Sequence, residues 1–208
     1  MKILVFSDVH TNAQALRELG RKIREVDLAV CAGDMSDFGR GLENTIKIME
    51  SWGKPILVIH GNHEEEGETE ALVRATRNLQ WFHAAEVSVN GLSFVGWGGG
   101  GFAREDPMLE GFAAELEPIA SRILVFHGPP YGTAIDMSAW SGSHMGCRTR
   151  RAVIEQLQPA VVIAGHMHEC FGQASKIGKT LVMNPGPIGV VLELQAKPNA
   201  KKAKEAKA

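Results

Sequence analysis

Five short polar clusters carry the side chains that bind divalent metals. They are Asp8-Val9-His10, Gly33-Asp34 with Asp37, Gly61-Asn62-His63, His127-Gly128-Pro129-Pro130 and Gly165-His166-Met167-His168. Imidazole, carboxylate and amide oxygen suit hard to borderline divalent ions, and Cys31, Cys147 and Cys170 all fall outside ligand positions. In Asp-x-His and His-x-His, alternate residues of an extended segment project to the same side, so both can reach one site. The glycines before Asp34, Asn62 and His166 let the chain turn sharply there. Taken singly, any of these clusters is an ordinary turn. Taken in order, they describe one metal centre assembled from distant parts of the chain.

The elements around them explain how that assembly comes about. Apolar runs at Ile3 to Phe6, Leu28 to Cys31, Ile56 to Ile59, Ile123 to Phe126 and Ala160 to Ala164 read as buried strands, and each runs directly into one cluster. Helical stripes over 13–25 and 42–52 separate the first three, which is a β-α-β-α-β order with parallel strands. A further helix is predicted over 66–78, another near 108–116, and one over 149–157. Asn90-Gly91 between 86–89 and 92–95 is a type I′ hairpin signal. The chain ends in hairpin-like segments over 171–176, 180–183 and 188–194. The pattern predicts an α/β fold of two mixed sheets packed face to face, with helices outside. Ligands in such sheets bind beyond the carboxyl ends of the strands, so the clusters should meet on one rim.

The clusters, in this order, resemble those of the calcineurin-like metallophosphoesterase superfamily over Asp8 to His168, with Asn184-Pro185-Gly186 as a further family-like turn. The resemblance implies a four-layer αββα sandwich and two divalent ions, with Mn²⁺ favoured and Fe, Zn, Co or Ni possible. It implies Asp8, His10 and His168 on the first ion, Asn62, His127 and His166 on the second, and Asp34 between them. His63 would be the catalytic histidine, with Asp37 orienting it. Two ions roughly 3.5–4 Å apart would share a hydroxide that attacks phosphorus. In phosphatase relatives an arginine follows the aspartate equivalent to Asp37. Here Phe38 stands there, and Arg40, Arg104 or Arg148 could supply that cation if a loop carries it inward. The ions set against Asp8, Asp34 and hydroxide leave a site charge of about +1. Both features favour a small, nucleotide-like or cyclic phosphodiester over a monoester. A non-catalytic scaffold of this fold, like the retromer subunit, is a weaker fit, because His63 fills the catalytic position.

Other features bound the function. The chain has 208 residues and a formal net charge of −2, so it is no general nucleic-acid binder. Its odd cysteine count argues for a reducing compartment, and no apolar run is long enough to span a membrane, so a cytoplasmic protein is expected. The expected partner is a small phosphoester substrate. Residues 1–196 read as one domain and 197–208 as a frayed Lys/Ala-rich tail. Gly98 to Gly101 lacks the ending of a nucleotide P-loop. The Gly98 to Gly101 and Tyr131 loops are read as walls of a small substrate pocket; for Trp97, and for the Tyr131 side chain, packing in the core or at the surface is the alternative to a place in that wall. His60 is expected to be structural, His83 and His144 to sit at the surface or rim, and Cys170 to be packed.

Overall fold

The computed structural model describes residues 1–195. The proposed tail at 197–208 lies outside them. One sheet contains β1 (Lys2–Phe6), β2 (Leu28–Cys31), β3 (Ile56–Val58) and β4 (Leu79–Trp81) in parallel, with β11 (Val190–Glu193) antiparallel on β1. The other has the order β5-β6-β7-β8-β10-β9. Its strands are β5 (Ala85–Val89), β6 (Leu92–Trp97), β7 (Arg122–Phe126), β8 (Val161–Ala164), β9 (Ala174–Ile177) and β10 (Thr180–Met183). Its edge pairs β5/β6 and β10/β9 are antiparallel and its interior pairs parallel.

The central strands are apolar on both faces, and their two sides bury against different partners. Leu4 and Phe6, with Ala29, Cys31, Ile56 and Val58, pack against α1 (Ala13–Lys22), α2 (Leu42–Ser51) and α3 (Glu66–Arg74). Ile3, Val5, Leu28, Val30 and Leu57 point the other way and meet Phe94, Ile123, Val125, Val161 and Ile163 of the second sheet. The far face of that sheet carries Val95, Leu124, Phe126 and Val162 against α4 (Pro107–Ala114) and α5 (Arg148–Leu157). Three apolar layers thus separate four layers of structure, the αββα sandwich that the sequence predicts. No helix among the described residues is long and apolar enough to cross a membrane.

Local differences have local causes. The first predicted helix tightens into a 3₁₀ turn at Ile23–Glu25. The third stops at Arg74, and the Arg77 and Asn78 amides donate instead to the Glu50 carboxylate, which releases Leu79–Trp81 to pair with β3. The hairpin turn holds, with positive φ at Asn90 (49°) and Gly91 (79°), as a type I′ turn requires.

Candidate metal centre

The β1 and β2 exits stay hydrogen-bonded after the strands end, through Asp8 N–H to Gly33 C=O and His10 N–H to Asp34 C=O, both 3.0 Å. The same holds in the second sheet, where Gly165 N–H donates to His127 C=O at 2.8 Å. Left-handed backbone at Asp8 (φ 56°), His10 (43°), Asp34 (52°) and His166 (71°) then turns these side chains onto one rim. Each such residue costs roughly 1–2 kcal/mol, and this strain is concentrated where the candidate ligands meet.

Asp34 is the hub of the cluster. Its Oδ2 lies 3.6 Å from His10 Nε2, 3.4 Å from His127 Nε2 and 4.0 Å from His63 Nε2. Asn62 Oδ1 is 2.9 Å from His127 Nε2, and His168 Nε2 is 3.8 Å from Asp8 Oδ1. Three groups have ligand atoms close enough to hold an ion: Asp8 with His10 and His168, His10 with Asp34 and His63, and Asp34 with His127 and His166. The structure brings every residue of the predicted ligand set to this rim.

The donor chemistry fits cations here. His10 Nδ1–H donates to Ser36 C=O at 2.8 Å and His127 Nδ1–H to Ala32 C=O at 2.9 Å, so both Nε2 atoms face inward. His10 Nε2 then meets His168 Nε2 at 3.1 Å, a contact that repels unless a proton or metal lies between the two nitrogens. His166 Nε2 is buried with no hydrogen-bond partner among the described residues. Burial, with the His127 charge behind it, pushes the His166 imidazole down to about 3, which keeps it neutral and ready to ligate. Burial opposes charge on His127 as well. The Asp34 carboxylate outweighs it and raises His127 to about 9. Asp34 is correspondingly held below the usual carboxylate range, against its own burial. Burial raises Asp8, only partly countered by His127.

His63 is fixed through its backbone, with its N–H on Asp34 Oδ1 at 3.0 Å and its C=O accepting from Gly39 N–H at 2.9 Å. Asp37 Oδ1 stands 3.9 Å from His63 Nδ1, too far for a hydrogen bond, while Asp37 Oδ2 accepts from Arg40 Nη2 at 2.9 Å. A supporting residue absent from the sequence reading is Glu64. One of its oxygens accepts from the Asp34 and Gly61 amides, and the other from the Ser36 amide and hydroxyl. The only signal for it was a carboxylate directly after Gly-Asn-His. Asn184 is fully buried and donates to Met167 C=O at 3.0 Å, which holds the loop between His166 and His168.

A cleft of 480 Å³ opens on this rim, lined by Asp8, His10, Asp37, His63, His168 and Phe171 among others. Trp97 and Tyr131 are not among its walls, so of the two readings of these residues packing holds, and the Tyr131 loop does not wall this cleft. Trp97 is buried on Phe112 and donates its indole N–H to Asp106, while Tyr131 meets His144 edge-on. The glycine loop does border the site, because a Cβ on Gly101 would touch Asn62. His60 is buried, its ring stacked on Trp81.

The sequence pattern of the calcineurin-like phosphoesterases matches residues 1–170. The chain belongs to that family. It is 27% identical over 202 residues to an uncharacterized protein of Methanocaldococcus jannaschii, covering 90% of this chain and 88% of that one. Its fold resembles that of a dimetal phosphatase from Danio rerio, with a TM-score of 0.63, 12% identity and coverage of 90% and 88%. It also resembles a novel archaeal phosphodiesterase, with a TM-score of 0.52, 20% identity and coverage of 89% and 84%. Family membership and the converging ligand groups support a metal-dependent hydrolase of phosphoric esters.

Proposed function

We propose that this calcineurin-like phosphoesterase is a two-metal enzyme that prefers small phosphodiesters. The observation that carries the two-metal reading is the position of Asp34, between one ligand group containing Asp8, His10 and His168 and another containing Asn62, His127 and His166. Two divalent ions bound there would supply an activated water and positive charge against the phosphoryl oxygens. Mn²⁺ is the favoured occupant. The chain does the rest. Asp34 holds the two halves of the site in register, Asn62 supplies a neutral oxygen, and the Nδ1–H bonds to main-chain carbonyls aim His10 and His127. His63 stands at the cleft beside Asp34 and donates a proton to the departing oxygen. Asp37 adds negative charge 3.9 Å from His63 Nδ1.

The preference for diesters rests on missing cations. A monoester dianion needs a positive group beside the metals, and the residue following Asp37 is Phe38. The three arginines that the sequence offers in its place are engaged elsewhere: Arg40 on Asp37, Arg104 on His144 C=O, and Arg148 over the Tyr131 ring. The test compares kcat/KM for matched nitrophenyl diester and monoester with Mn²⁺ supplied. The diester should win by roughly tenfold or more, the cost of about 1.4 kcal/mol of unmatched charge. A monoester preference of that size would make the protein a phosphomonoesterase instead.

A further inference from the structure

Phe38 combines two unfavourable features. Its φ of 51° lies in the left-handed region, and the residue is 70% exposed. A bulky non-glycine residue in that conformation costs roughly 1–2 kcal/mol, and an exposed phenyl ring returns little burial energy for it. The ring nevertheless lies flat on His63, with centroids 3.9 Å apart and planes 26° from parallel. The His10 ring meets the same imidazole in a T-shaped contact, with centroids 4.6 Å apart and planes at 72°.

We propose that Phe38 is the positioning residue of His63, setting by ring stacking the orientation that a hydrogen-bonded carboxylate would otherwise set. The proposal rests on His63 as proton donor in the reading above. The backbone of His63 is already pinned, so what remains free is the rotation of its ring. Among the described residues its buried Nδ1 has no hydrogen-bond partner to stop that rotation. Asp37, the nearest acid, lies beyond hydrogen-bond range and is engaged by Arg40. The phenyl face and the T-shaped contact with His10 are therefore what holds the plane of the ring. Gly39 N–H on His63 C=O ties the segment carrying Phe38 to the histidine it covers.

The variants separate this from a folding effect. Phe38→Gly removes the ring and relieves the left-handed backbone, so the fold should not suffer. Phe38→Leu keeps apolar bulk without a π face, and Phe38→Tyr keeps the ring. The first readout is NMR of the His63 imidazole C–H protons in the metal-free protein. Ring-current shielding should shift them upfield in wild type and Phe38→Tyr, and the shift should vanish in Phe38→Gly and Phe38→Leu. The second is turnover with Mn²⁺ supplied. On a poor-leaving-group alkyl diester, Phe38→Gly and Phe38→Leu should lose about 10–100-fold in kcat, the scale of a misplaced catalytic group. KM and metal content should stay within about twofold, the nitrophenyl diester should lose under about threefold, and Phe38→Tyr should restore the rate. An unshifted His63 resonance in wild type overturns the proposal, as does full alkyl-ester turnover by Phe38→Gly. If wild type cleaves no phosphoester at all, the functional reading fails, and the NMR arm still decides the stacking.

Discussion

Glu64 accepts hydrogen bonds at both carboxylate oxygens, from three backbone amides and one hydroxyl on the loops that carry Asp34 and Asn62. Whichever way an amide is turned, Glu64→Gln places an NH₂ against a buried N–H donor. This isosteric change should cost about 1–3 kcal/mol, measured by chemical denaturation of the metal-free protein. An unchanged midpoint would mean that Glu64 is a spectator. Asp34 and His63 should fail differently from each other. Asp34→Asn loses the charge that both ligand groups share, so metal content and hydrolysis should fall together. His63→Gln should keep both metals and lose roughly 10²–10⁴-fold in turnover, the usual worth of a general acid. That loss should shrink for a nitrophenolate leaving group, which needs little protonation; an equal loss on all esters would assign His63 to phosphate positioning only.

At the scale of elements, strand exits do the assembly, and close backbone approach makes it possible. A Cβ on Gly61 would collide with the Asp34 carboxylate, and one on Gly165 with the Asp8 carboxylate. Gly61→Ala should therefore displace Asp34, costing about 1–3 kcal/mol of overpacking and most of the bound metal. Metal analysis beside a thermal melt checks both, and normal metal content would show that the loop yields without moving the ligand. The same exits explain what could be read from the sequence. Strands apolar on both faces, such as Leu28–Cys31, are unmistakable because two layers cover them. The polar run that follows each is equally visible. β4 was not legible, because its three residues include an exposed Gln80 and pair only once Glu50 has ended the preceding helix. Trp97 could be read either as a pocket wall or as core for a related reason. Its position beside a glycine loop suggested a pocket wall, whereas its partners Phe112 and Asp106 lie on and before α4, which sequence proximity to the site does not reveal.

For the whole molecule, the metal-free site should leave a mark on stability against pH. His166 and His60 are pushed by burial down to about 3 and about 4, while in the unfolded chain each titrates near 6.5. Below 6.5 the unfolded chain binds protons that the folded one refuses. Stability therefore falls with acid, at up to about 1.4 kcal/mol per pH unit for each histidine. Asp8 is raised by burial and works the other way, softening the acid limb as pH drops toward the ordinary carboxylate range. His127 has the opposite sign to His166. Held up to about 9 by Asp34, it contributes stability that is fully present below 6.5 and is lost as pH rises through 9. The chelated protein should thus be most stable near pH 6.5 and weaken on both sides. A divalent metal held by Asp34 and His127 would stabilise the folded state by mass action and would make the proton on that pair unnecessary, so the alkaline limb should flatten with metal supplied. Urea titrations with and without chelator, from pH 4.5 to 9.5, would measure both limbs. Chelated protein whose stability climbs steadily from pH 6.5 to 9.5 would contradict the His127–Asp34 pairing, and a limb unaltered by metal would mean that the cation does not sit at that pair.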